Sequence, residues 1–404
     1  MGKLPVLFLI FNRPETTRRV FDAIRAYRPE KLFIAADGPR PDRAGEAEMC
    51  RLAREEARKY DWPCEVKTRF LDANLGCRDA VSSAVTWYFS QVDEGVILED
   101  DCLPCPDFFR FAETMLEHFR DDEKVMHISG VNFQGGVRRG ESDGFFSTIP
   151  HIWGWASWKR AWQHYDVEMK DYPQVRASGE LAANLPGTRY LKWVLLRMME
   201  QTYRKSPYFN TWDVQWHYAL AKCGALAVAP NVNLVSNIGG SSTHQVESSV
   251  CGLLHGKLPD EITPPKPPET ADVAADMCTL NKIYAGNWRS KIRYLWERMF
   301  SPGRCRCPGP AMIRFLKIIL TGALALIQLA AFMIPLFGLT YFIREFGGDN
   351  DDGMFTPTAV RRWKAVLVSA ACFAIWAGQF YAMIRALFKM WGKRPVTTSF
   401  ERKD

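Results

Sequence analysis

A chain of 404 residues with 47% apolar composition can bury one large core or two smaller ones. Its formal charge of +7 is uneven: residues 286–404 hold 18 Lys and Arg against 7 Asp and Glu, and the remainder holds 34 against 38. A basic tail on a weakly acidic body excludes a nucleic-acid-binding domain as the source of the charge, and eleven cysteines, an odd number in so long a chain, exclude a disulfide framework.

Met1-Gly2-Lys3 leads at once into Leu4 to Ile10, an apolar run of strand length that ends at Asn12-Arg13-Pro14 and does not read as a secretory leader. The first 285 residues are therefore expected in a reducing cytosol, with thiols mostly buried and inert. Strands are expected at Pro5 to Phe11, Lys31 to Ala36, Cys64 to Phe70, Val96 to Leu98 and Val125 to Ser129. Helical spacing is read between them at Pro14 to Tyr27, Glu46 to Tyr60, Arg78 to Phe89 and Pro106 to Phe119. This alternation predicts an α/β fold, with βαβ units around a mostly parallel sheet.

From Phe145 to Tyr218 the texture changes to Trp, Tyr and Gly, with Trp153, Trp155, Trp158 and Trp162 clustered and Trp212 and Trp216 following. Aromatics this dense serve equally as core or as a wall on which an acceptor sugar stacks. Asp260 to Ala274 is Pro-rich and reads as a loop within a linker over residues 259–285. A basic amphipathic segment over residues 286–317 is suited to lie along lipid headgroups. Ile318 to Ile343 and Ala365 to Ile384 are 26 and 20 residues without a charge, each long enough to cross a bilayer. Basic residues precede the first span (Arg289 to Lys317) and follow the second (Arg385 to Arg394), so the pair reads as a hairpin with both flanks in the cytoplasm. A multi-pass protein of the inner (cytoplasmic) membrane is expected, its catalytic domain facing the cytoplasm.

The densest chemical signal is Gly95-Val96-Ile97-Leu98-Glu99-Asp100-Asp101. A short apolar run reads as a strand buried on both faces, so three carboxylates stand at its C-terminal end, where open α/β sheets bind ligands. Their mutual repulsion suits a divalent cation, Mn²⁺ or Mg²⁺, held by one or two of them. Asn74-Leu75-Gly76-Cys77-Arg78 opens a helix through a Gly-containing turn that phosphate or ribose can approach closely. Cys102-Leu103-Pro104-Cys105 has the spacing of a redox or zinc pair but lacks a second pair at zinc-ribbon distance. His127, on an apolar strand, reads as structural.

Four local patterns together resemble the GT-A fold nucleotide-sugar glycosyltransferases, in particular the N-acetylglucosaminyltransferase I family and its bacterial relatives. They are Pro5 to Pro14 followed by Thr17-Arg18-Arg19, Asp37-Gly38, Glu99-Asp100-Asp101 continuing through Pro106-Asp107-Phe108-Phe109, and Gly154-Trp155 followed by Trp212-Asp213-Val214-Gln215-Trp216. The likeness covers roughly residues 4 to 245 and implies a GT-A domain over residues 1–258. It implies that Asp101 ligates the metal, that Asp100 and Glu99 act on the donor ribose and through water, and that Arg13 and Asp37 hold the nucleotide base and ribose, with Arg78 beside them. Asp213 matches the catalytic base of an inverting transfer, although the family often has two adjacent acids where this chain has Asp213-Val214. His244 stands where many GT-A enzymes close a loop over the diphosphate and add a metal ligand.

The resemblance thus implies a glycosyltransferase, of the hexosyl- or N-acetylhexosaminyl-transferase class, moving sugar from a nucleotide-diphosphate donor to a glycan or lipid-linked acceptor, as in envelope polysaccharide biosynthesis. Two other classes stand beside it. The same sheet and acids could bind a nucleoside triphosphate and make the nucleotide sugar, though that chemistry expects a Gly-rich turn after the first strand. A membrane protein that kept the fold and lost the chemistry would not need Glu99-Asp100-Asp101 and Asp213 intact.

Overall fold

The computed structural model describes residues 2–206, 210–239, 254–266, 270–283 and 291–296. The chain divides into two units, residues 1–294 and 295–404, and nearly all described residues belong to the first. His244 and the two expected membrane spans lie outside the described residues; among those described, no helix is long and apolar enough to cross a membrane.

The elements run β1 (Val6–Ile10), α1 (Pro14–Tyr27), β2 (Lys31–Ala36), α2 (Glu46–Glu56), β3 (Glu65–Phe70), α3 (Gly76–Phe89), β4 (Glu94–Glu99), β5 (Cys102–Pro104), α4 (Pro106–His118) and β6 (Val125–Ser129). There follow β7 (Gly144–Ser147), β8 (Trp155–Trp158), α5 (Lys159–Trp162), α6 (Tyr172–Ser178), α7 (Glu180–Asn184), α8 (Arg189–Tyr203), α9 (Asp213–Cys223), β9 (Leu226–Pro230), β10 (Val235–Asn237) and α10 (Val273–Ile283). The large sheet has the order β3-β2-β1-β4-β8-β6-β9-β7, and β5 pairs with β10 in a small second sheet. Four neighbour pairs of the large sheet are parallel and three antiparallel, the latter on either side of β8 and at β7.

Strand β1 sets the geometry. Its side chains alternate: Val6, Phe8 and Ile10 face the layer of α1 and α4, and Leu7 and Leu9 face α3 and the tryptophans. All five are buried, as a continuous apolar strand between two helical layers requires. Helix α1 begins with Pro14 in the first turn, where its missing N–H is an orphan anyway and its fixed φ suits the helix. Arg13 is thereby pinned at the junction of strand and helix. From β1 the chain builds outward through β2 and β3, then crosses back to place β4 on the other side of β1. That reversal opens a crevice at the carboxyl ends of β1 and β4.

Two expectations are settled by packing. Trp155, Trp158, Trp162, Trp212 and Trp216 are core, buried under the sheet, and Trp153 is half-buried against the same body. The stretch read as a linker contains α10, which is fastened to the domain: Leu280 is buried in the core under α8 and α9. Buried Asp276 accepts hydrogen bonds from the Ser147 hydroxyl (2.5 Å) and from the Thr148 N–H and hydroxyl (3.1 and 2.8 Å).

Candidate active site

The carboxylates at the end of β4 are tied to the end of β1. Leu9 pairs with Glu99 in parallel register, so the residues after each strand emerge side by side. One oxygen of Asp100 accepts the Phe11 N–H at 3.0 Å, and the other takes Arg13 Nη2 at 2.5 Å. Arg13 Nη1 meets Asp101 at 2.7 Å, so a single guanidinium bridges both aspartates. Asp101 also receives the Cys102 thiol at 3.4 Å. Asp100 and Asp101 are 2% and 7% exposed, and such buried charges need partners. Burial, opposed by Arg13, brings the Asp100 pKa up to about 6. Glu99 keeps some solvent contact, yet desolvation and then the charges of Asp101 and Asp100 push it up to about 8. Three acids share one arginine, and the site is short of positive charge.

Asp37, at the end of β2, is a clamp. Its carboxylate accepts the N–H groups of Gly38, Leu75 and Gly76 and the side-chain amide of Asn74, all at 2.8–3.1 Å. It therefore satisfies orphan donors at the start of α3 and holds the 74–76 turn against β2. Gly38 is required there, since an added Cβ would lie 2.4 Å from the Ala73 carbonyl carbon. Arg78, one turn on, donates to the Val167 carbonyl and pairs with Glu168 at 2.5 Å.

Asp213 begins α9, with the Thr211 hydroxyl donating to it. Its charge adds, after larger causes, to the upward pKa shifts of Glu99 and Cys77. Cys77 is open to solvent by area yet walled by protein on most sides. That crowding, and then the charges of Glu99, Asp213, Asp37 and Asp101, raise its thiol pKa and keep it protonated. Four acids from three chain segments thus act on this one cysteine. Behind Asp213, the Trp216 indole donates to His127 Nδ1 at 3.0 Å, and His127 Nε2 meets the His151 carbonyl at 3.0 Å. An indole N–H only donates and a carbonyl only accepts, which fixes the His127 tautomer. Burial lowers its pKa to about 3, so it is a neutral strut of the core, as its place on an apolar strand suggested.

The strand β10 carries the chain back over the acids. Ile238 donates its N–H to the Asp101 carbonyl at 2.8 Å. At Gly239 an added Cβ would lie 2.6 Å from Asp101 Oδ2 and 2.9 Å from Arg13 Nη1. The segment bearing His244 thus departs from directly beside Asp101. Among the described residues, no three His, Cys, Asp or Glu converge on one metal position. The donor set fits a hard divalent cation held by one carboxylate, Asp101, with the rest of its shell from water and substrate phosphate.

Reading the sequence alone missed two groups. Buried Glu46 gathers Asn12 Nδ2 (2.9 Å), the Arg40 N–H (2.7 Å) and the Arg40 guanidinium just beyond β1, and Arg40 lies over the Phe11 ring. The hydrogen bonds from Arg40 lower the Glu46 pKa to about 2. His217 stands one helical turn after Asp213 and is 7% exposed. The i,i+4 spacing from Asp213 was the available signal for it.

No protein-family model matches the chain, and no curated protein matches it. Among solved structures it is similar to 4-diphosphocytidyl-2C-methyl-D-erythritol synthase from Anaerococcus prevotii, at 10% identity and TM-score 0.25 over 43% of this chain and 77% of that one. It is also similar to UDP-glucose pyrophosphorylase, apo and complexed with UDP-glucose, at 10% identity and TM-scores of 0.29 and 0.27 over 59% of this chain and 94% of those. At TM-scores this low, no functional assignment passes from those enzymes to this chain.

Proposed function

We propose that the protein is a metal-dependent, inverting glycosyltransferase that takes a nucleotide-diphosphate sugar and passes the sugar to a hydroxyl of a glycan or lipid-linked acceptor. One observation supports the reading: the charge of Asp213, more than a hundred residues from the acidic triplet, adds to the upward pull on Glu99 at the carboxyl end of β4. Metal acids and a separated carboxylate are the two parts that such a transfer needs.

In this reading Asp101 holds Mn²⁺ or Mg²⁺, and Arg13 keeps Asp100 and Asp101 aligned beside the diphosphate. The cation, when bound, supplies Lewis-acid neutralisation of the diphosphate leaving group. The Phe11–Asn12–Arg40 corner, braced by Glu46, receives the nucleotide base, and Asp37 shapes the 74–76 turn along the ribose. Asp213 takes the proton of the acceptor hydroxyl as its oxygen attacks the anomeric carbon. Nucleotidyl transfer would place triphosphate on main-chain N–H groups of a Gly-rich turn after β1. That turn here is Asn12-Arg13-Pro14, and Pro14 has no N–H to give. The residues 318–343 and 365–384 would anchor the enzyme in the cytoplasmic membrane, near a lipid-linked acceptor.

Thermal denaturation of the purified protein against a panel of nucleotide sugars tests the reading. Stabilisation by at least one of them that requires Mn²⁺ is expected, since a ligand that binds only the native state raises its stability. No metal-linked shift with any nucleotide sugar would sink the proposal.

A further inference from the structure

Helix α8 has two unlike sides. Leu191, Leu195 and Met199, at helical spacing, are buried against the body. On the other side, at the spacing i, i+3 and i+7, stand Tyr190, Trp193 and Arg197, all half-buried. Arg197 lies over the Trp193 ring, 5.5 Å from its centre. Residues 291–296 are again helical, and Tyr294, with which the first unit ends, closes on this side of α8. Its ring lies 5.3 Å from that of Tyr190 and 5.5 Å from that of Trp193. Ile292, just before it, is more than half open to solvent, an unusual place for so large an apolar side chain. Leu295 and Trp296, with which the second unit begins, are exposed as well.

We infer that this aromatic and basic face, built by α8 of the catalytic body and the turn at 291–294, rests on an anionic lipid surface. Three properties select that occupant. The stretches 189–197 and 291–296 hold five Lys and Arg and no acid, a charge that complements anionic headgroups. Tyr and Trp pair an apolar ring with one polar O–H or N–H, the combination that settles at headgroup level. Residues 297–317, which separate the turn from the uncharged run 318–343, span at most about 75 Å when fully extended, so a bilayer at that run is within reach. Ile292 then buries its side chain below the headgroups, while Lys291 and Arg293 stay among the phosphates. A membrane at 318–343 is the premise of this assignment; glycosyl transfer is not. Helix α8 packs on α9, which opens with Asp213, so the lipid surface also lies on the side of the body that bears that carboxylate.

The test uses full-length protein reconstituted into phosphatidylcholine vesicles, with and without phosphatidylglycerol, that carry a tritiated phospholipid. The photoreactive residue p-benzoylphenylalanine replaces Ile292, Trp193 or, as a control, Met49, which is exposed on α2 beside α1. Irradiation is expected to attach lipid at positions 292 and 193 and not at 49, and to attach more when phosphatidylglycerol is present. Arg293→Glu is expected to cut the lipid captured at position 292 about fivefold in the phosphatidylglycerol vesicles, the weight of one basic residue at an anionic surface. Capture at 292 and 193 no greater than at 49, or indifferent to phosphatidylglycerol, would overturn the inference. So would a cross-linked product of doubled mass, which would give the face to a second copy of the chain. Protein that does not enter the vesicles would overturn the anchor and this surface together, and would leave glycosyl transfer to its own test with nucleotide sugars.

Discussion

The two ends of the parallel strands differ in how they balance charge. At the amino end lies a cavity of about 1200 Å³ lined by Lys3, Lys31, Glu94, Glu113, Arg120 and Lys159 among others. Its charges come in both signs and several are already paired, Arg120 with Glu94 at 2.7 Å and Glu113 with the Tyr27 hydroxyl at 2.6 Å. At the carboxyl end the charge is one-sided: Asp100 and Asp101 share a single guanidinium, and the charges of Asp101, Asp100 and Asp213 all push Glu99 upward. A hollow whose charges are mixed in sign favours no one charge of ligand. A crevice with surplus carboxylates favours a cation, which is the ground for placing the proposed chemistry at the carboxyl end.

The sharpest way to break the contrast is to remove its metal carboxylate. Asp101→Ala is expected to lower transfer by roughly 10³-fold, the scale of a Lewis-acid contribution of several kcal/mol, and to abolish the Mn²⁺-linked thermal shift. Retention of that shift would move the metal elsewhere. Asp213→Asn keeps the shape and loses the proton acceptor, so turnover is expected to fall about 10²–10⁴-fold with donor binding intact. NMR of a product made from an α-linked donor should then show a β-linkage; a retained α-linkage would remove Asp213 from its role.

A pH series sharpens the same contrast without activity. Folded Glu99 titrates near 8 against 4.5 for the free side chain, so the folded state holds the proton longer. Stability from that group is full below about pH 4.5 and is lost as pH rises toward 8. Wild type should therefore fall behind Glu99→Gln in chemical-denaturation stability across that window, and coincide with it at pH 4. Equal stabilities at every pH would show that the acids are not in conflict. The smallest effect is expected at the amino end, where Arg120→Ala should change stability by no more than about 1 kcal/mol, as exposed pairs do, and leave transfer untouched.

Much of the first half was legible because its strands are apolar on both faces. Pro14 to Tyr27, Lys31 to Ala36 and Val125 to Ser129 appear at the expected residues, and Glu99-Asp100-Asp101 stands at the strand end where the run of Val96, Ile97 and Leu98 placed it. The far half was not legible. Strands β7 to β9 carry no alternation a reader could separate from the surrounding aromatics, and whether those tryptophans face a core or a ligand depends on what packs over them. Helix α10 was hidden for a similar reason: it is held by Asp276 against Ser147 and Thr148, partners about 130 residues away in the chain. In the site, the residue types were readable and their partners were not. Asp37 is spent on backbone N–H groups of the 74–76 turn, and Arg78 on Glu168, because each carboxylate or guanidinium binds what the fold delivers to it.

The central claim, that the acidic crevice transfers a sugar rather than a nucleotide, is tested most directly by ³¹P NMR. The purified protein is incubated with Mn²⁺, pyrophosphate and whichever nucleotide sugar stabilises it, with ethylene glycol as acceptor. The account predicts that nucleoside diphosphate accumulates, with no nucleoside triphosphate or sugar 1-phosphate, and that Asp101→Ala stops it. Nucleoside triphosphate and sugar 1-phosphate appearing in step with added pyrophosphate would contradict it.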